Sequence, residues 1–189
     1  SQWPASTPDK AVAMAGNVDT PGVFLNASAV LERQLTAFTL DCWVRELGEK
    51  AKVPAKLNDA LSAVRNQTQS KFPYPWLTYI DQNRATLLAE FVEIFGAAGE
   101  GLTVESRVYL ETFIEGGIEG GGSEGTLSWK IVNRLQGVIK DIDDLKSRRT
   151  KVDNEIARLQ ALPALGDSDA EELQELKHER MALTKLVAS

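Results

Sequence analysis

The sequence has almost none of the residues that build covalent cross-links and metal sites. Cys42 is the only cysteine and His178 the only histidine among 189 residues. A disulfide framework needs at least two cysteines, and a structural zinc site draws its ligands mainly from cysteine and histidine. Both are therefore excluded within one chain. Cys42 follows an apolar helical pattern, so we expect it to be a small core residue and not a nucleophile.

Long apolar runs are also missing. No stretch approaches the roughly 18–20 consecutive apolar residues of a membrane-spanning helix, and no secretory leader precedes the first helical pattern. Hydrophobic residues make up 43% of the chain and charged residues 25%, which is ordinary for a globular protein. These features predict a soluble protein without a membrane span. They favour a reducing compartment or an organelle interior over secretion.

The chain has no excess of basic residues. It contains 21 lysines and arginines against 27 aspartates and glutamates, and its formal net charge is −6. Residues 1–125 carry the whole acidic excess, whereas residues 126–189 hold 11 charges of each sign. Binding to nucleic acid needs a basic surface. We therefore expect no nucleic-acid partner.

The sequence contains no constellation that is typical of catalysis or of a bound cofactor. Adjacent carboxylates such as Asp143 and Asp144 point in different directions on a helix, and His178 has no evident nucleophile to activate. No Glu-x-x-His or EF-hand spacing occurs. The glycine-rich stretch 116–125 lacks a following Lys-Ser/Thr and contains glutamates, so it does not predict a phosphate site. We predict no enzymatic activity, no cofactor and no metal.

A heptad repeat dominates the last third of the chain. Its apolar residues alternate three and four positions apart, first over one helix and then, after a break, over a second. The first seam comprises Ile131, Leu135, Val138, Ile142, Leu145, Arg149, Val152, Ile156 and Leu159, and the second comprises Leu173, Leu176, Arg180, Leu183 and Val187. Pro163 and Gly166 lie in the break, where they end a helix. The pattern predicts an antiparallel coiled-coil hairpin over residues 126–189.

The two seams also predict a register. Folding them antiparallel about the break pairs Leu159 with Leu173 and, at the open end, Leu145 with Val187. On the flank, the same register brings Asp153 near Lys177, which is a weakly stabilising pair. Ser168 and Glu171 have the spacing of a capping box, so we expect the second helix to start near Ser168.

The rest of the chain predicts a helical bundle behind an extended arm. Residues 1–25 are rich in proline and poor in large apolar residues, so they cannot build a core. We expect them to lie along a surface of this protein or of a neighbour, with Trp3 and Phe24 among the anchors. Residues 26–115 show helical periodicity, and residues 116–125 are an acidic glycine-rich linker. The predicted fold class is all-α.

The predicted secondary structure of two segments of the bundle needs separate argument. Residues 71–76 are predicted to be extended, because each residue before a proline avoids the helical region. Residues 103–114 fit a helix capped by Thr103, although their Val-Tyr-Leu run also permits a strand.

These features lead to two functional hypotheses. The base of the first hairpin helix has a broad apolar face that includes Trp129, Val132 and Ile139, and either the N-terminal domain or a partner chain must cover it. The first hypothesis is therefore a non-catalytic structural or interaction subunit of a larger protein assembly, which bridges or docks protein partners. The alternative is a small-molecule carrier or sensor with an aromatic-lined cavity in the bundle. Its candidate lining residues are Trp43, Phe72, Tyr74, Trp76, Tyr79, Phe91 and Phe95.

Overall fold

The computed structural model describes residues 21–97, 102–115 and 122–188. Every regular element in these ranges is helical, so the predicted all-α class is confirmed. The α-helices are α1 (Pro21–Leu47), α2 (Leu57–Arg65), α3 (Tyr74–Ala97), α4 (Val104–Ile114), α5 (Leu127–Gln160) and α6 (Asp167–Ala188). A short 3-10 helix, Gly48–Lys50, follows α1.

Helix α1 begins earlier than the sequence predicts. It starts at Pro21, so residues 21–25 are helical instead of belonging to an extended arm. Proline is favoured at the first position of a helix, because the N–H it lacks would have no partner there. Phe24 consequently lies in the first turn of α1. Trp3, the other predicted anchor, lies outside the described residues.

The described residues form two compact units that do not follow chain order. The first unit comprises residues 21–54 and 69–132, and the second comprises residues 55–68 and 133–188, within the described ranges. Helix α2 therefore belongs with the hairpin, and the first six residues of α5 belong with α1, α3 and α4. This grouping crosses the predicted division at residues 116–125. The predicted division into domains stays a prediction.

The first unit has a core of helix faces with regular spacing. The buried side chains of α1 lie on one side of the helix, because they follow one another at spacings of four, three and one residues. They are Leu35, Thr39, Cys42 and Trp43. The main buried residues of the other helices are Leu77, Ile80, Leu87 and Phe91 on α3, Leu110, Phe113 and Ile114 on α4, and Leu127 and Val132 on α5. Each large apolar side chain that is fully buried contributes about 1.5–3 kcal/mol relative to exposure.

The segment before α3 differs from the predicted extended corner. Helix α3 starts at Tyr74, and Pro75 lies within its first turn, where a missing N–H costs nothing. The Phe72–Pro73 peptide bond is cis. The Phe72 ring stacks on Trp76, with the ring centres 5.8 Å apart. Trp76 in turn donates a hydrogen bond from Nε1 to Thr39 Oγ1 at 3.3 Å, which ties α3 to α1.

Helix α4 confirms the predicted cap. Thr103 has an extended backbone, and its Oγ1 accepts a hydrogen bond from the Ser106 N–H at 3.1 Å. This bond satisfies one of the free N–H groups at the start of a helix. The strand assignment for residues 103–114 is therefore wrong, and the helical one is right.

The hairpin of α5 and α6 closes around a small apolar cluster in the second unit. Its buried members are Val152, Ile156, Leu159, Leu173 and Leu183, against which Leu145, Leu162 and Leu176 pack. All of them except Leu162, which lies in the loop, are residues of the two predicted seams. Helix α6 starts at Asp167, so Ser168 lies inside its first turn and not at the predicted cap position.

Two ion pairs cross the hairpin. Arg148 Nε lies 2.7 Å from Glu179 Oε1, and Arg180 lies 3.8 Å from Asp153. Asp153 thus pairs with Arg180 and not with the predicted Lys177. Arg180 occupies a seam position, but its guanidinium reaches out of the seam to the flank, as long charged side chains do.

Helix α6 is too short to cover all of α5. Arg180 lies beside Asp153 and is eight residues from the end of α6, so Ala188 lies opposite residue 145 of α5. Residues 127–144 of α5 therefore extend beyond the end of α6. Helix α2 lies beside this extension, because two nitrogens of Arg65 donate hydrogen bonds to the two carboxylate oxygens of Asp143 at 3.0 and 2.9 Å.

The hairpin cluster generates a stability prediction. Leu159 is 0% exposed, so Leu159→Ala leaves a cavity and is expected to lower the free energy of unfolding by about 2–5 kcal/mol. Leu165→Ala, in the exposed part of the loop, is the matched control and should cost less than about 1 kcal/mol. Urea titration followed by circular dichroism measures both. Equal losses would contradict the described hairpin packing.

Candidate functional site

The candidate site is an apolar face on the part of α5 that extends beyond α6. Leu135, Val138, Ile139 and Ile142 follow the spacing i, i+3, i+4, i+7, so they share one side of the helix. All four are half-buried, and all belong to the second unit. We call this set the proximal α5 face. No α6 residue lies opposite these side chains, and part of their surface stays in contact with solvent.

The residues of α5 that were predicted to bind a partner lie in different units and differ in burial. Val132 is 8% exposed and lies in the first unit, which leaves little of its surface for a partner. Trp129 is half-buried in the same unit. Ile139 is half-buried and is part of the proximal α5 face. Whether any of these residues binds a partner stays a prediction.

A cluster of polar side chains holds the start of α5 within the first unit. Glu32 of α1 accepts hydrogen bonds from Lys130 of α5, whose Nζ lies 2.9 and 2.7 Å from the two carboxylate oxygens. Tyr109 of α4 donates a short hydrogen bond from its hydroxyl to the same carboxylate. Lys130 Nζ also lies 5.7 Å from the centre of the Phe113 ring, within cation–π range. We call Glu32, Tyr109 and Lys130 the Glu32 cluster.

The Glu32 cluster is more than a surface ion pair. The Glu32 side chain is only 12% exposed, so its charge has lost most of its contact with water. Such a charge is tolerated only when charge-assisted hydrogen bonds replace the lost hydration. Glu32 is 77 residues from Tyr109 and 98 from Lys130, so no local spacing in the sequence signals the cluster.

The cluster also sets the protonation of its tyrosine. The hydrogen bond to Glu32, together with burial, raises the pKa of Tyr109 to about 12. The phenol is therefore neutral at physiological pH and remains a donor. Because the pKa in the folded chain lies above the ordinary value of about 10, this stabilisation is complete below pH 10 and is lost as the pH rises through about 12.

A groove of about 540 Å³ lies next to the Glu32 cluster, inside the first unit. Phe113, Thr112 and Thr126 line it together with the exposed Val108, and Lys130 reaches into it. The carboxylates of two further lining residues, Glu105 and Glu124, make its charge mixed. This combination of apolar and oppositely charged groups is suited to a polypeptide contact and lacks a paired nucleophile and base.

A second, more polar pocket of about 410 Å³ contains the cysteine. Cys42 lines it with Arg45, Glu46, Tyr79 and Glu90. The Tyr79 hydroxyl donates a hydrogen bond to Glu46 at 2.6 Å. Burial raises the pKa of the Cys42 thiol, so the thiolate that nucleophilic chemistry needs is disfavoured. This environment fits the expected role of Cys42 as a core residue.

Five of the seven aromatic residues of the carrier hypothesis pack against another ring of the set. The ring centres of Trp43 and Phe72 are 6.1 Å apart, and those of Phe91 and Phe95 are 4.5 Å apart. These are ordinary packing distances for aromatic pairs. The Trp43 Nε1 donor is buried without a hydrogen-bond partner. A ligand between these rings would have to displace their contacts, so the packing does not favour a preformed cavity there.

Searches for a metal-binding cluster and a membrane-spanning helix in the described residues, and for similar proteins, found none of these. Within residues 21–97, 102–115 and 122–188, no three His, Cys, Asp or Glu side chains are grouped as a metal site would require. None of the described helices is both long and apolar enough to cross a membrane. No protein-family model, curated protein or solved structure matches the chain. The surfaces and contacts of the described residues are therefore the basis for a functional proposal.

The Glu32 cluster makes a prediction for tyrosine ionisation. Glu32→Gln removes the negative charge that holds the phenol proton, so we expect the pKa of Tyr109 to fall from about 12 towards its ordinary value. The absorbance of tyrosinate during an alkaline titration measures this pKa. The part of the absorbance change that disappears in Tyr109→Phe belongs to Tyr109. A Tyr109 pKa that is the same in the variant and the unaltered chain would contradict the described hydrogen bond.

Proposed function

We propose that the chain is a non-catalytic interaction subunit, which docks a partner protein against its helical hairpin. The observation that carries the proposal is the proximal α5 face. Its four aliphatic side chains are half-buried and keep part of their surface in contact with solvent, and α6 ends opposite residue 145. A protein partner that covers them removes apolar surface from water, which is the main driving force of association.

The chemistry of the face favours an amphipathic helix as the docking element. Its anchors follow the i, i+3, i+4, i+7 pattern by which one helix recognises another. Residues 133–144 span about 18 Å along α5, which is long enough for about three turns of a partner helix. Helices pack at interaxial distances of about 8–10 Å, so a partner helix would contact the same side chains that α6 would contact if it were longer.

The surroundings of the face also resemble an interface. Arg134, Gln136 and Asp141 are exposed next to the apolar side chains on the same helix. Protein interfaces typically combine an apolar centre with a polar rim of this kind. The remaining exposed surface of four half-buried side chains supplies on the order of a few kcal/mol, which association entropy largely offsets. The partner must therefore contact further surface as well.

The carrier hypothesis has less support. It needs an open cavity between aromatic rings, whereas the rings of Trp43, Phe72 and Trp76 lie at packing distances from one another. Of the candidate lining residues, Tyr79 lines the polar pocket beside Cys42, whereas the rings of Trp43, Phe72 and Trp76 do not.

Position-specific photocrosslinking in the cells from which the protein comes tests the proposal. A photoreactive amino acid at Ile139 should give a discrete adduct with one partner protein, because this side chain lies in the proposed interface. The same group at Asn133, which is exposed on the other side of α5, is the matched control and should give no such adduct. Mass spectrometry identifies the adduct. Equal adducts at both positions, or none at either, would contradict the proposal.

A further inference from the structure

The outward side of α6 carries opposite charges at its two ends. Six of its residues recur at intervals of three and four positions, and every one of them is exposed. They are Asp167, Glu171, Gln174, His178, Met181 and Lys185. We call them the outer stripe of α6. By helical periodicity the stripe lies on the side of α6 opposite to Leu173 and Leu183, which face the hairpin cluster.

The charges of the outer stripe are not neutralised by their own helix. Asp167 and Glu171 are four residues apart, so these like charges repel each other. Lys185 has Met181 and Ala182 at the positions three and four residues before it, where an acidic residue would pair with it. Among the described residues, no ion pair within 4.0 Å includes Asp167, Glu171 or Lys185.

The helix macrodipole accounts for only part of this distribution. Acidic residues are favoured in the first turn of a helix and basic residues in the last, which explains Asp167 and Lys185. The effect falls off within one turn. Glu171 lies beyond the first turn, and it adds to the local repulsion instead of relieving it. An oppositely charged surface from outside the helix would stabilise all three residues.

We propose that the outer stripe of α6 is a homodimer interface, in which a second copy of the chain packs antiparallel against the first. In this arrangement Lys185 of each copy faces Asp167 and Glu171 of the other. The two-fold axis then passes close to His178, halfway between Lys185 and Glu171. Met181, which is 59% exposed, packs against the central part of the opposite stripe.

The choice of a second copy follows from self-complementarity. An antiparallel pair satisfies the acidic and the basic end of both stripes at once, whereas a parallel pair would bring like charges together. A wholly acidic or wholly basic partner would neutralise one end and repel the other. The pairing also sets the two helix dipoles antiparallel. Because the stripe lies on the side of α6 opposite to α5, two hairpins joined in this way place their four helices side by side in the order α5, α6, α6, α5.

The interface is small. Helix α6 has 22 residues and is therefore about 33 Å long, so a single helix face buries an area at the low end of specific interfaces. We expect dissociation constants in the micromolar range or weaker, and a strong dependence on salt. The surface lies on α6 and not on the proximal α5 face, so the dimer is independent of the proposed docking of a partner protein.

Sedimentation equilibrium of the full-length chain tests the proposal. Over the micromolar to millimolar range at low salt, the unaltered chain should shift reversibly from monomer to dimer. Lys185→Glu should weaken the dimer by about tenfold or more, because it replaces two symmetric attractions by two repulsions. The double variant Asp167→Lys, Glu171→Lys should weaken it to a similar extent for the same reason.

A mixture of the two charge variants tests directly whether opposite charges on the two stripes hold the dimer together. Each variant alone repels its own copy, but an acidic stripe and a basic stripe attract. An equimolar mixture should therefore form heterodimers at concentrations at which each variant alone is monomeric. Lys151→Glu, an equal charge change at an exposed position of α5, is the control and should dimerise like the unaltered chain. Circular dichroism confirms that all variants keep their helix content.

Three outcomes would overturn the proposal. The unaltered chain remains monomeric at the highest concentration, or Lys151→Glu weakens the dimer as much as Lys185→Glu does, or the mixture of charge variants shows no heterodimer. A chain that stays monomeric would leave the outer stripe for a partner of another kind.

Discussion

The difference in length between the two hairpin helices determines much of the second unit. Helix α5 has 34 residues and α6 has 22, and their register leaves residues 127–144 of α5 without an opposing α6 residue. An apolar helix face of that length must find other neighbours or remain in contact with water. In this chain the first six residues belong to the first unit, Arg65 of α2 reaches Asp143, and the four side chains of the proximal α5 face stay half-buried.

The polar contacts of the fold differ in how much they contribute to its stability. Glu32 is mostly withdrawn from water and is paired with both Tyr109 and Lys130, so loss of either donor leaves a charge that the other donor compensates only in part. The pairs along the hairpin, such as Arg148 with Glu179, are solvent-exposed and contribute little to stability. The Glu32 cluster therefore specifies where α5 begins in the first unit, whereas the apolar cluster at Leu159 holds the hairpin closed.

The predictable features of this protein are the local ones. The heptad spacing predicted the hairpin because coiled-coil packing is encoded within each helix, and Thr103 predicted its cap because the bond reaches only three residues along the chain. The Glu32 cluster and the grouping of α2 with the hairpin depend on residues far apart in sequence, and no periodicity encodes them. Asp153 pairs with Arg180 and not with the predicted Lys177, because the long side chain of Arg180, a seam residue, reaches the flank of the hairpin. Of the residues that were predicted to bind a partner, Val132 is covered by the fold itself, and for the others partner binding stays a prediction.

Hydrogen exchange along α5 tests the central claim of this account, that one helix is packed at both ends and incompletely covered between them. Amides in well-packed segments exchange only through costly opening, whereas amides in thinly covered segments exchange through local opening. Mass spectrometry on the 189-residue chain measures the exchange. We expect strong protection at residues 127–132 and 152–159 and faster exchange at residues 135–142. Uniform protection along the whole of α5, or fast exchange at residues 127–132, would contradict it.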